Sequence, residues 1–302
     1  MNFEGVFPIL ATPFHDDESL DLESMQRLVG FMHGIGADGV TVLGVLGEAN
    51  RLTDIERERI VDAAVQAAQG MPVIVGASAS GTRAACELAR MAESTGAAAV
   101  MVTPHAEPVP NDDRVFDYFA MIAQAVRIPI VLQDHPASTQ VHMPIGLMLR
   151  LVRELPAVSA IKEEATPTPP KIRALIDGMQ DRRIPILTGL GALYGLFDLE
   201  AGSNGFNTGF AFPEVLMAMR KAARDGDWPR AREIYVRFLP LIVFEQQPGV
   251  AIRKEILRLR GAIAGSRVRH PGTGIAPAVA DQLKRLLDTV LPGEDLTRPL
   301  TV

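Results

Sequence analysis

Eight short apolar runs rich in Val and Ile recur along the chain, and each is followed by a turn and then by a stretch with helical period. The runs are 6–11, 39–43, 73–77, 98–102, 130–133, 158–162, 184–188 and 205–208, spaced by roughly 20 to 33 residues, the interval of repeated βα units. Most are continuous rather than alternating, the pattern of strands covered on both faces by helices and so of a parallel sheet. Eight such units in series predict a closed (β/α)8 barrel rather than a doubly wound open sheet, and 302 residues suffice for one barrel with an appendage.

Helix starts are marked between the runs. Thr53 followed by Glu56 reads as a capping box, Asn111-Asp112-Asp113 sets oxygen acceptors and negative charge at another start, and Thr168-Pro169-Pro170 places prolines in a first turn. After Phe212 the strand signal stops, and 213–225, 228–244, 250–260 and 277–291 read as helices. The expected division is therefore a catalytic barrel over 1–212 and a helical C-terminal region over 213–302 packed on it.

Composition narrows the function. A formal net charge of −6 and the lack of a basic stripe interleaved with aromatics argue against nucleic acid as a partner. The single cysteine, Cys86, cannot form an internal disulfide and falls in a helical run, 82–95, as a small core residue. The first residues have no basic region followed by an apolar one, and no apolar run approaches the ~18 residues that cross a bilayer, so a cytoplasmic protein without a membrane anchor is expected.

In such a barrel the chemistry lies at the C-terminal ends of the strands. The sixth run ends Ala160-Ile161-Lys162, and a lysine there can enter the barrel mouth, where removal from water favours the neutral amine that attacks a carbonyl. The plainer reading is a surface lysine paired with Glu163 or Glu164. The second run enters Gly44-Val45-Leu46-Gly47-Glu48, whose glycines let successive backbone N–H groups converge on a carboxylate; an ordinary βα turn, with Glu48 as a buried structural carboxylate, is the alternative.

The fifth run ends Gln133-Asp134-His135-Pro136, where alternation allows at most one of Asp134 and His135 to face the lumen. His105, after the fourth run, is a further possible proton carrier. His105, His135 and His142 lack any metal-ligand spacing, so no metal is expected. The glycines of 189–195 superficially resemble a dinucleotide fingerprint, but the third comes one position late, and a tight turn at the barrel rim explains them better.

Taken together, Thr12-Pro13-Phe14, Gly44-x-x-Gly47-Glu48, Val102-Thr103-Pro104, Pro136 and Ile161-Lys162-Glu163 resemble the dihydrodipicolinate synthase/N-acetylneuraminate lyase family over essentially the whole chain. The resemblance implies that Lys162 forms a Schiff base with a small 2-keto acid, with no metal or other cofactor. It also implies that Val45, Leu46, Gly47 and Glu48 receive the substrate carboxylate, that Asn207 lines the pyruvoyl pocket, and that the chain assembles as a homotetramer.

The departures bear on the reaction. Val45 and Leu46 stand where the family usually has two threonines, Gln133 where it has a proton-relay tyrosine, and His105-Ala106 where another tyrosine follows Thr103-Pro104. Glutamine does not titrate. Ser138 replaces the arginine that in dihydrodipicolinate synthase binds the aldehyde's carboxylate. The segments Gln133-Asp134-x-Pro136-Ala137-Ser138, Leu239-Pro240-Leu241-Ile242 and Arg269-His270-Pro271 look most like the subgroup containing L-2-keto-3-deoxyarabonate dehydratase.

The expectation is thus a class I lyase, a dehydratase or aldolase of a 2-keto-3-deoxy sugar acid. Lys162, Gln133 and His135 are its catalytic candidates; Thr103, Ser138 and Asn207 join the carboxylate loop in binding. The alternatives are a pyruvate/aldehyde condensation of the 4-hydroxy-tetrahydrodipicolinate synthase type and a 2-keto-acid-binding protein without turnover.

Overall fold

The computed structural model describes residues 2–106, 111–247 and 249–302. Its eight strands are β1 (Gly5–Val6), β2 (Val40–Val42), β3 (Val73–Gly76), β4 (Ala99–Val102), β5 (Ile130–Asp134), β6 (Val158–Glu163), β7 (Ile186–Thr188) and β8 (Gly205–Phe206). Each falls on one of the apolar runs. All neighbours pair in parallel, in the order β1-β8-β7-β6-β5-β4-β3-β2.

Closure comes from the segment after β1. Ile9 bridges Thr41 in parallel, with Leu10 N–H donating to Thr41 O and Thr41 N–H to Pro8 O, both at 2.8 Å. β8 is shorter than its apolar run, yet Ile9 N–H still donates to Thr208 O at 2.9 Å, so the ladder continues past the strand. At the β1/β8 contact a Cβ on Gly205 would stand 1.9 Å from Gly5 O, so only glycine fits there.

Two-residue alternation divides each strand between two cores. Phe3, Phe7, Ile9, Ile74, Ala99, Met101, Val131, Ala160 and Leu187 fill the lumen as one cluster, which makes the barrel a packed core with chemistry only at its mouth. The intervening residues, among them Val40, Val42, Val100, Ile130, Leu132 and Ile161, pack outward against the helices. The predicted caps form: Thr53 and Glu56 make a reciprocal capping box, and the Asn111 side chain accepts from the N–H groups of Asp113 and Arg114. Cys86 is buried on its helix, Thr82–Ser94.

The helix Pro213–Arg224 takes the place of the eighth barrel helix, with Val215, Leu216 and Met219 in one cluster with Val6 and Phe206. A division at 212/213 therefore falls between the last strand and its own helix. Helices Trp228–Phe244, Val250–Leu259 and Pro277–Val290 follow, and their apolar faces join that same cluster. Among the described residues no helix is long and apolar enough to cross a membrane.

Candidate active site

On β6 the alternation turns Ala160, Lys162 and Glu164 inward, while Ile161 and Glu163 face the helices. Lys162 is only 5% exposed, and its Nζ lies 3.3 Å from Glu164 Oε2. The lysine is thus paired with Glu164, one of the two partners expected of a surface lysine, but the pair is buried in the barrel mouth.

Gln133, the register partner of Lys162 on β5, donates its Nε2 to Glu164 Oε2 at 2.7 Å. The N–H of Leu190, at the β7 end, donates to the other oxygen at 3.0 Å. Burial pushes the Glu164 carboxyl up, but Lys162, then His135, the Leu190 N–H and the Gln133 amide outweigh it and hold the group below its ordinary value. Glu164 is therefore a carboxylate beside the amine.

These groups open into a cleft of about 140 Å³, lined also by Ile9, Val45, Leu46, His135, Leu190, Gly191, Thr208, Gly209, Gln246 and Arg253. On one side stands the loop after β2, where Val45–Gly47 forms a single 3-10 turn. The N–H groups of Gly47 and Glu48 close that turn on Gly44 O and Val45 O, which leaves those of Val45 and Leu46 without an acceptor among the described residues. Two unpaired donors at the cleft rim suit a carboxylate.

The loop glycines do not act as their sequence suggested. The left-handed positions flanking the turn are Leu43 (φ 58°) and Glu48 (φ 54°). Gly44 is needed for space, since a Cβ there would stand 2.9 Å from Ile9 Cγ2.

Glu48 turns away from the cleft and is 1% exposed. It bonds Lys254 Nζ at 2.5 Å and Arg51 Nη1 at 2.6 Å, and accepts from Arg269 N–H at 3.0 Å. The carboxylate thereby locks the end of the loop to the C-terminal region.

Of the β5 group, Gln133 faces the lumen and His135 lines the cleft, whereas Asp134 points outward and pairs with Lys171 of the helix Thr168–Gly178. Ser138 reaches the cleft only indirectly, through a 2.7 Å bond between its Oγ and His135 Nδ1. His105 lies in a separate cavity of about 290 Å³ with Ser80, Asn111, Tyr118 and Val141. Thr103 and Asn207 are buried but are not part of the cleft wall; Asn207 Nδ2 donates to Thr41 Oγ1 across the lumen at 2.8 Å. Thr103 Oγ1 and Asn207 Oδ1 are both buried without a partner.

Sequence reasoning assigned no role in the cleft to Glu164, Gln246 or Arg253. The alternation Ala160-x-Lys162-x-Glu164 carried the signal for the first. The other two come from the C-terminal region, and nothing local aims them at the mouth. No group of three or more His, Cys, Asp or Glu is placed to hold a metal among the described residues.

A parallel eight-stranded barrel with a buried lysine and a carboxylate at the C-terminal end of one strand is a frame that suits a lyase. The chain belongs to the dihydrodipicolinate synthetase family, whose model matches residues 2–290. It is 35% identical over 286 residues to the L-2-keto-3-deoxyarabonate dehydratase of Azospirillum brasilense, covering 92% of each protein. It is 32% identical over 300 residues to a 4-hydroxy-tetrahydrodipicolinate synthase of Methanothrix thermoacetophila, covering 98% of each.

Among solved structures, the dihydrodipicolinate synthase of Rhodopseudomonas palustris superposes with a TM-score of 0.90 at 35% identity, over 95% of this chain and 97% of that one. YagE, a prophage protein from E. coli K12 in complex with pyruvate, gives 0.88 at 26% identity, over 95% and 98%.

Proposed function

We propose that the protein is a Schiff-base-forming lyase of a small 2-keto acid, and specifically a dehydratase or aldolase of a 2-keto-3-deoxy sugar acid. The observation that carries the reading is the buried Lys162–Glu164 pair opening on a cleft that is also lined by Val45 and Leu46, whose N–H groups have no acceptor among the described residues. Those N–H groups receive the C1 carboxylate and so bring the C2 ketone to Nζ.

Glu164 takes the ammonium proton of Lys162, and the freed amine adds to C2. Loss of water from the carbinolamine leaves an iminium, which acidifies C3. Removal of a C3 proton gives the enamine, which then expels the C4 hydroxyl as water once that oxygen is protonated. In an aldolase the iminium does not lose its C3 proton; the C4 hydroxyl proton is removed instead, the C3–C4 bond breaks to release an aldehyde, and its electron pair forms the enamine of pyruvate. Glu164 fills the role of the absent relay tyrosine, with Gln133 fixing its orientation and His135 the other titratable group on the cleft wall.

The dehydratase reading is favoured by the 35% identity to the Azospirillum brasilense enzyme, and by Ser138 and Gln133 standing where the synthase reaction calls for an arginine and a tyrosine. Incubation with a panel of 2-keto-3-deoxy acids, with product analysis, tests it. Formation of a dehydrated or cleaved product is expected; consumption only of pyruvate together with an aldehyde would replace the reading by a synthase. The homotetramer implied by the family resemblance is tested by light scattering.

A further inference from the structure

We infer that Arg253 is a specificity-determining residue that binds a second carboxylate, at the end of the substrate remote from the ketone. The inference rests on the Schiff-base reading above for the position of C1 and C2. Arg253 is carried by the helix Val250–Leu259, is 5% exposed, and contributes to the wall of the Lys162 cleft. Its Nε donates to Glu245 Oε2 at 2.9 Å, but Nη1 and Nη2 have no hydrogen-bond acceptor among the described residues. A buried guanidinium with its fork unpaired lacks its natural complement, a planar acceptor with two oxygens.

The surroundings keep that fork open. A Cβ on Gly191 would stand 2.8 Å from Nη2, and one on Gly249 3.3 Å from Nη1; both residues have positive φ, 64° and 48°. Glycine at these two places leaves room for the guanidinium against the β7 loop, where Gly191 N–H donates to Thr208 Oγ1 at 2.7 Å.

The charge balance favours an anion over a hydroxylated tail. Lys162 and Glu164 offset each other, while Gln133, Gln246 and Thr208 are neutral. The counter-charge of Arg253 is Glu245, which is 0% exposed; burial pushes its carboxyl up to about 7 against the pull of Arg253 and a bond from Ala211 N–H. Near neutrality the guanidinium is thus only partly compensated. The substrate class that fits is a 2-keto-3-deoxy acid carboxylated at both ends.

Borohydride trapping on Lys162, followed by mass spectrometry, tests this with 2-keto acids matched in chain length: 2-oxopentanoate against 2-oxoglutarate, and 2-oxohexanoate against 2-oxoadipate. The dicarboxylate of each pair is expected to half-saturate at a concentration roughly ten- to hundredfold lower. In Arg253→Met that ratio should fall toward one. Because the ratio is taken within each variant, a general loss of binding cancels. If Arg253→Met does not fold, Arg253→Met combined with Glu245→Met removes both charges together and is read the same way.

Equal half-saturation within each pair in the wild type, or a preference that survives loss of the guanidinium, overturns the inference while leaving the Schiff base intact. Lack of any adduct on Lys162 with every acid, pyruvate included, overturns both.

Discussion

Lys162 Nζ and Glu164 Oε2 lie 3.3 Å apart, the lysine on β6 and the glutamate one residue past its end, both turned to the inward side and each side chain 6% exposed. The proximity gives the amine a proton acceptor that needs no other element to move. In the proposed mechanism the pair exchanges a proton before C2 is attacked.

Glu164→Gln separates binding from proton transfer. The amide keeps the shape of the side chain but cannot take the Lys162 proton, so the rate of Lys162 adduct formation with a 2-keto acid and turnover should both fall, turnover by about 10²- to 10⁴-fold, while the concentration at half-saturation changes little. Single-turnover trapping and steady-state product formation on one preparation check both halves. Unimpaired turnover would assign proton transfer elsewhere.

Glu48 and Lys254 make a buried pair, at 1% and 0% side-chain exposure, between the loop after β2 and the C-terminal region. Glu48→Ala leaves Lys254 without its carboxylate and should cost about 3–5 kcal/mol in urea unfolding, whereas Lys254→Met, which leaves Glu48 paired with Arg51, should cost less. Combining Glu48→Gln with Lys254→Met should recover part of the loss. Additive losses in the double variant would mean that the two residues act independently.

Stability should decline as pH rises from about 5 toward 8. Burial, followed by Asp134, pushes the Glu163 carboxyl up to about 8; burial likewise raises Glu245 to about 7 and Asp198 to about 6. A carboxyl whose folded value is raised binds its proton more tightly in the native state. Its contribution is complete below the unfolded value and is lost as pH climbs through the folded one, with a slope of up to about 1.4 kcal/mol per pH unit for each group. Glu163 faces Asp134 across the β5/β6 register, and Glu163 Oε2 and Asp134 Oδ1 are both buried without a partner. Glu163→Gln should flatten the decline, as read from urea midpoints at pH 5, 6, 7 and 8.

The barrel was legible because its strands are continuous apolar runs, a pattern that survives any choice of helix boundary. Lys162 could be singled out because it ends one of them. Period-two spacing from Lys162 puts Glu164 on the same face; what the chain alone does not give is the depth at which that face is buried, which separates a cleft carboxylate from the partner of a surface lysine. Asp134, one residue beyond Gln133, follows the same rule to the other side and meets Lys171.

Arg253 and Gln246 were out of reach for a different reason. They sit in the sequence stretch Glu245-Gln246-Gln247 and in a basic pair, Arg253-Lys254, that reads as ordinary helix surface. Only the packing of Val250–Leu259 against the mouth sends Lys254 to Glu48 and Arg253 into the cleft. The glycines of 44–47 do not serve the purpose their sequence suggested: Gly44 relieves a contact with Ile9, while Leu43 and Glu48 take the left-handed turns.

The central claim is that Lys162 bonds covalently to the ketone carbon. Borohydride reduction in the presence of pyruvate, then peptide mass spectrometry, measures it directly. The account predicts a stable adduct on Lys162, absent from Lys162→Ala together with turnover. An unmodified Lys162, or a Lys162→Ala variant that retains turnover, would contradict it.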